Sequence, residues 1–96
     1  MNERTIENAV VRWARAHGVL CTKMNLQGRR GMPDRVFWLP RGTAVFMEFK
    51  RPGGKLSKLQ AYTIQMLRSL GYAVREVSDA DEGKSILQAM LWQTTK

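Results

Sequence analysis

Residues 28–60 read GRRGMPDRVFWLPRGTAVFMEFKRPGGKLSKLQ, and the rest of the chain is understood from them. Pro33-Asp34 is followed by Arg35 to Leu39, a run rich in Val, Phe and Trp that suits a strand. Pro40-Arg41-Gly42 makes a tight turn, and Thr43 to Lys50 is the next strand, so the two form an antiparallel hairpin. The second of these strands alternates. Ala44, Phe46, Glu48 and Lys50 share one face, while Val45, Met47 and Phe49 form an apolar face that belongs on a core. Arg51-Pro-Gly-Gly-Lys55 is a basic turn, and Ser57 with Gln60 forms a capping box that starts a helix ending near Leu70, before Gly71.

Outward from this stretch the pattern stays regular. Asn2 or Thr5 can cap a first helix in which Ile6, Val10, Trp13 and Ala14 recur at helical spacing, with Gly18 beyond its end. Val19 to Asn25 reads as a strand, and Gln27 to Pro33 as a loop with two glycines and adjacent arginines. Tyr72 to Val77 is a fourth strand. Asp79 with Glu82 reads as a second capping box, opening a last helix that buries Ile86, Leu87, Met90 and Leu91. Gly83 in its first turns works against that helix. The order is α-β-β-β-α-β-α, an α/β fold with a mixed central sheet flanked by helices. The helix between strands three and four is a crossover, which implies that those two strands run parallel. The 96 residues are expected to form a single domain, residues 1–96.

Composition narrows the partners. Sixteen Lys and Arg against eight Asp and Glu give a formal charge of +8, which calls for a polyanion, either nucleic acid or an anionic membrane. No apolar run is long enough to span a membrane, so no membrane association is expected. The single cysteine, Cys21, cannot form an internal disulfide and fits a reduced cytoplasmic setting.

An acid at the start of one strand and Glu-x-Lys on the next are the groups that phosphodiester hydrolysis needs. Magnesium or manganese takes oxygen ligands and needs few protein carboxylates, because it keeps several waters. Asp34 and Glu48 are candidate ligands, with the backbone carbonyl of Phe49 a third oxygen. Lys50 points the same way as Glu48 and can hold the attacking water, balance charge in the transition state or act as a base. Arg29, Arg30, Arg35, Arg41, Arg51, Lys55 and Lys58 fall in the surrounding loops and turns, where a phosphate backbone can track.

Glu7, Gly31-Met-Pro-Asp34, Glu48-Phe-Lys50 and Leu56-Ser-x-x-Gln60 together resemble the pattern of VRR-NUC domains, members of the PD-(D/E)XK nuclease superfamily with its restriction-endonuclease-like core. The resemblance spans Glu7 to about Val77. It implies that Asp34 and Glu48 bind the metal and Lys50 is catalytic. It further implies that Glu7 on the first helix reaches the metal directly or through water, and that Gln60 stands beside the site. It also implies a short free-standing nuclease of phage or bacterial type, which pairs into homodimers and cuts branched DNA such as four-way junctions. Two symmetric cuts on such a junction suit a two-fold dimer, and Trp38 and the Leu91-Trp92 end of the last helix offer apolar surface for its contact. Two alternatives share these features: a flap or nicking nuclease, and a DNA-binding module that does not cut.

Overall fold

The computed structural model describes residues 1–25 and 27–94. Four strands, β1 Leu20–Lys23, β2 Arg35–Leu39, β3 Thr43–Phe49 and β4 Ala73–Val77, form one sheet in the order β1-β2-β3-β4. β1, β2 and β3 are antiparallel neighbours, whereas β3 and β4 run parallel. The helices are α1 Glu3–Ala16, α2 Lys58–Ser69 and α3 Ala80–Thr94. The order α-β-β-β-α-β-α is the one the sequence implies, and α2 supplies the crossover that a parallel pair requires.

Alternation along β3 sorts the layers. Val45, Met47 and Phe49 pack with Ile6 and Val10 of α1 and Leu87 of α3. Phe46, one residue out of phase, packs with Val36, Ile64 of α2 and Val74 on the other face. β3 is therefore covered on both sides, and Glu48 shares the face that α2 covers. A buried Phe or Ile contributes about 1.5–3 kcal/mol and a helix cap about 1 kcal/mol, so burial across the sheet dominates the fold.

Local details explain how the helices seat. Asn2 caps α1, accepting from the Thr5 amide at 2.8 Å. His17 closes its far end, with Nδ1 2.8 Å from the Trp13 carbonyl and its ring stacked on Trp13. Gly83 allows α3 to approach α1: a Cβ there would lie 2.7 Å from Val10 Cγ2. That contact is the reason a poor helix former stands in α3. The start of α3 departs from the expected capping box. Asp79 Oδ1 accepts from the Asp81 amide, and Glu82 reaches past Asp79 to the Ser78 amide. Among the described residues, no helix is long and apolar enough to cross a membrane.

Candidate active site

Three elements converge at the end of the sheet where β2 begins and β3 finishes. Asp34 immediately precedes β2, and its Oδ2 accepts the Phe49 amide at 2.8 Å, tying the start of β2 to the end of β3. Glu48 lies one residue earlier on β3 and is only 2% exposed. Lys50 follows the last residue of β3. Its amide continues the ladder onto the Val77 carbonyl, and its Nζ lies 3.5 Å from Glu48 Oε2. From α2, Gln60 Nε2 donates to the same Glu48 oxygen at 3.1 Å. Gln60 holds this position through the capping box: Ser57 Oγ accepts from the Gln60 amide, and Gln60 Oε1 accepts from the Ser57 amide.

The other Glu48 oxygen, Oε1, is buried without a hydrogen-bond partner among the described residues. Burial, and then the nearby Asp34 charge, push the Glu48 carboxyl up to about 7, with Lys50 pulling against them. Asp34 is raised as well, by burial first, against the lowering effect of its bond from the Phe49 amide. Two carboxyls that burial raises, one of them raised further by its neighbour's charge and left with an orphaned oxygen, make a site short of positive charge.

Glu7 takes a different position from these residues. Its charge helps raise Asp34, but its Oε2 is held 2.6 Å from Arg35 Nε in a largely buried ion pair between α1 and β2. Among the described residues, no three His, Cys, Asp or Glu side chains lie close enough together to hold a metal, so Glu7 does not join Asp34 and Glu48 in one cluster. The same pair corrects the expectation that Arg35 tracks phosphate. With its side chain 12% exposed and its guanidinium on Glu7, it is turned into the protein. A charge-assisted bond in a half-buried place holds an arginine better than solvent does. Arg29, Arg30, Arg51, Lys55 and Lys58 are exposed. Arg41 is exposed too, but it belongs to the β2–β3 turn at the opposite end of the sheet from Asp34. The contact made by Phe49 in the site runs through its amide.

The loop before Asp34 is pressed onto α2. Gly31 has φ +84, and a Cβ there would meet Leu59 Cγ at 2.7 Å and Thr63 Oγ1 at 3.0 Å. Only glycine fits a positive φ and so close an approach, and this fixes where the chain enters Pro33-Asp34.

The four-stranded mixed sheet flanked by helices is the fold of the restriction-endonuclease-like nuclease class. The VRR-NUC domain family model matches residues 1–79. The chain is similar to "Putative nuclease p44" of Acyrthosiphon pisum secondary endosymbiont phage 1, with 38% identity over 90 residues, covering 94% of this chain and 96% of that protein. A solved structure described as a VRR_NUC domain superposes with a TM-score of 0.81 at 26% identity, covering 90% of this chain and 94% of its own. The chain belongs to the VRR-NUC domain family.

Proposed function

We propose that this protein is a magnesium- or manganese-dependent endonuclease that hydrolyses DNA phosphodiesters, selects branched DNA such as four-way junctions, and works as a homodimer. The observation that carries the reading is the buried Glu48 carboxylate, with one oxygen unpartnered, beside Asp34 and Lys50. Buried carboxylate oxygens ordinarily have partners, and a divalent cation shared by Asp34 and Glu48 would give Oε1 one.

Asp34 and Glu48 would hold that ion, with the Phe49 carbonyl as a further oxygen and Glu7 acting through water. When bound, a divalent ion neutralises phosphate charge and lowers the pKa of its water. The chain's own residues do the rest. Gln60 fixes the Glu48 carboxylate by donating to Oε2. The Phe49 amide fixes Asp34. The Lys50 ammonium, anchored by its backbone bond to Val77, balances the negative charge that builds on the phosphate in the transition state. Arg35 holds Glu7 in place through the contact of its Nε with Oε2. Arg29, Arg30, Arg51, Lys55 and Lys58 contact the phosphates on either side of the cut.

Resolving a four-way junction takes two cuts related by two-fold symmetry, and each chain carries one site, so a C₂ dimer suits the task. Of the two apolar surfaces the sequence offers, the Leu91-Trp92 end of α3 is the one we take for its contact, because Trp38 lines the groove beside α2. The test is a cleavage panel of junction, flap, splayed arm and linear duplex, paired with sedimentation at micromolar concentration. Symmetric junction cuts by a particle of about twice the 11.0 kDa chain mass are expected. Faster cutting of the flap by a monomer would overturn both the specificity and the assembly.

A further inference from the structure

α2 covers only part of its face of the sheet. Beside it a groove of about 790 Å³ follows β2 from the Asp34 end to the β2–β3 turn, lined by Met24 and Met32 at one end and by Trp38, Phe46, Thr43 and Tyr72 toward the other. Trp38 is 44% exposed and Tyr72 53% exposed. Both rings are held in place. Trp38 Nε1 donates to Thr22 Oγ1 at 2.9 Å, and Tyr72 meets the buried Phe46 edge to face at 5.9 Å. Fixed, half-exposed aromatic rings give a face for stacking at little conformational cost.

The groove does not end blindly. Met24 and Met32 also line an adjoining hollow of about 440 Å³ that carries Arg29 and Arg30. The Met24 amide donates to the Asp34 carbonyl at 3.1 Å, so this end abuts the proposed cutting site. At the far end Gly42 lines the groove, and its neighbour Arg41 is exposed, with a left-handed φ of 62° unusual for a residue other than glycine. Among the described residues, no acidic side chain lines the groove. Rings toward one end of the groove and arginines in the hollow that adjoins the other are what a single strand of nucleic acid needs: stacking for its bases and cations for its phosphates.

We infer that the groove takes an unpaired stretch of a DNA strand, its bases on Trp38 and Tyr72 and its phosphates toward Arg29 and Arg30, and leads that strand to Asp34. The inference rests on the nuclease reading above and adds what the site is fed with: the melted or frayed strand at a branch, rather than continuous duplex. A second copy of the chain fits the groove less well. Among the described residues, no acidic side chain lines the groove to meet the exposed arginines of another copy, whereas the phosphates of a DNA strand are attracted to Arg29 and Arg30.

The test is binding in EDTA, where no cutting occurs, with a fluorescent oligothymidylate of ~12 nucleotides, within the span of known single-strand sites, and a blunt duplex of equal length. Trp38→Ala and Tyr72→Ala should each weaken the single strand roughly fivefold to a hundredfold, the range for loss of one stacked base. The duplex should be affected much less. Trp38→Phe, which keeps a ring, should recover most of the loss and remains informative if the alanine variant is unstable. Unchanged single-strand affinity in Tyr72→Ala and Trp38→Ala, or equal weakening on both DNAs, would overturn the inference. So would a fall in sedimenting mass that tracks the loss, because the groove would then be a contact between copies. Failure to cleave any DNA in magnesium would instead overturn the nuclease reading and leave this binding result standing.

Discussion

Gln60 and Glu48 are joined across the α2–β3 interface: the Gln60 side-chain amide donates to Glu48 Oε2 at 3.1 Å, while its oxygen accepts from the Ser57 amide at 2.9 Å. One side chain thus completes the cap of α2 and orients a site carboxylate. The motif Leu56-Ser-x-x-Gln60 serves the helix start and holds Glu48, and the two uses can be separated.

Ser57→Ala removes the capping hydroxyl but leaves Gln60 able to reach Glu48. It should cost about 1 kcal/mol in urea denaturation and little in cleavage rate. Gln60→Ala should cost a similar amount of stability and also slow single-turnover cleavage, because Glu48 loses its donor. Equal slowing by the two variants would mean that Gln60 acts only through the helix.

Lys50→Ala should slow the chemical step by about 10²-fold or more, the scale for one preorganised charged group. Metal affinity should change far less, because the ammonium is not a ligand. An unchanged single-turnover rate would remove Lys50 from the mechanism.

Glu48 makes the metal-free protein sensitive to pH. Its carboxyl titrates near 7 in the folded chain, above its ordinary value, because burial and Asp34 disfavour the ionised form. The folded state therefore binds more protons than the unfolded state between the two values. Stability is present below the ordinary carboxyl range and is lost as pH rises toward 7. Glu48→Gln cannot ionise, so without metal it should be more stable than the parent at pH 8, by about 1–3 kcal/mol, and nearly equal to it at pH 4. A variant no more stable at pH 8 would show that the carboxylate is solvated in the folded state.

Binding of DNA should weaken steeply with salt. Phosphate contacts by Arg29, Arg30, Arg51, Lys55 and Lys58 predict a slope of log affinity against log salt near −4 to −5, since each contact adds roughly −0.9. Replacing Arg29 and Arg30 together should flatten it by about 2. A slope near zero for the parent would mean that the exposed cations serve something other than nucleic acid.

Periodicity made much of this structure legible. The face shared by Glu48 and Lys50 follows from a period of two on β3, and the α2 cap follows from Ser57 and Gln60 three residues apart. Local patterns say nothing about which distant charges meet, and Arg35 is the clearest case. Its position beside Asp34 suggests a phosphate contact, but a helix 28 residues upstream presents Glu7 to it. Arg41 is close to the site in sequence and lies at the far end of the sheet because a hairpin turn must. Gly83 looks like a helix fault until Val10 is seen against it. At the start of α3, Asp79 and Glu82 have capping-box spacing, but Asp79 bonds the Asp81 amide and Glu82 the Ser78 amide.

The central claim is that Asp34 and Glu48 hold one divalent ion that cuts DNA. It is tested most directly by single-turnover cleavage of a labelled four-way junction with the parent chain, Asp34→Ala and Glu48→Gln, each in magnesium, manganese and EDTA, with binding followed in parallel. The account predicts cutting by the parent in either metal and none in EDTA. It predicts no cutting by either variant, with DNA affinity close to the parent's, since phosphate contacts dominate binding. Full-rate cutting by Asp34→Ala or Glu48→Gln, or cutting by the parent in EDTA, would contradict it.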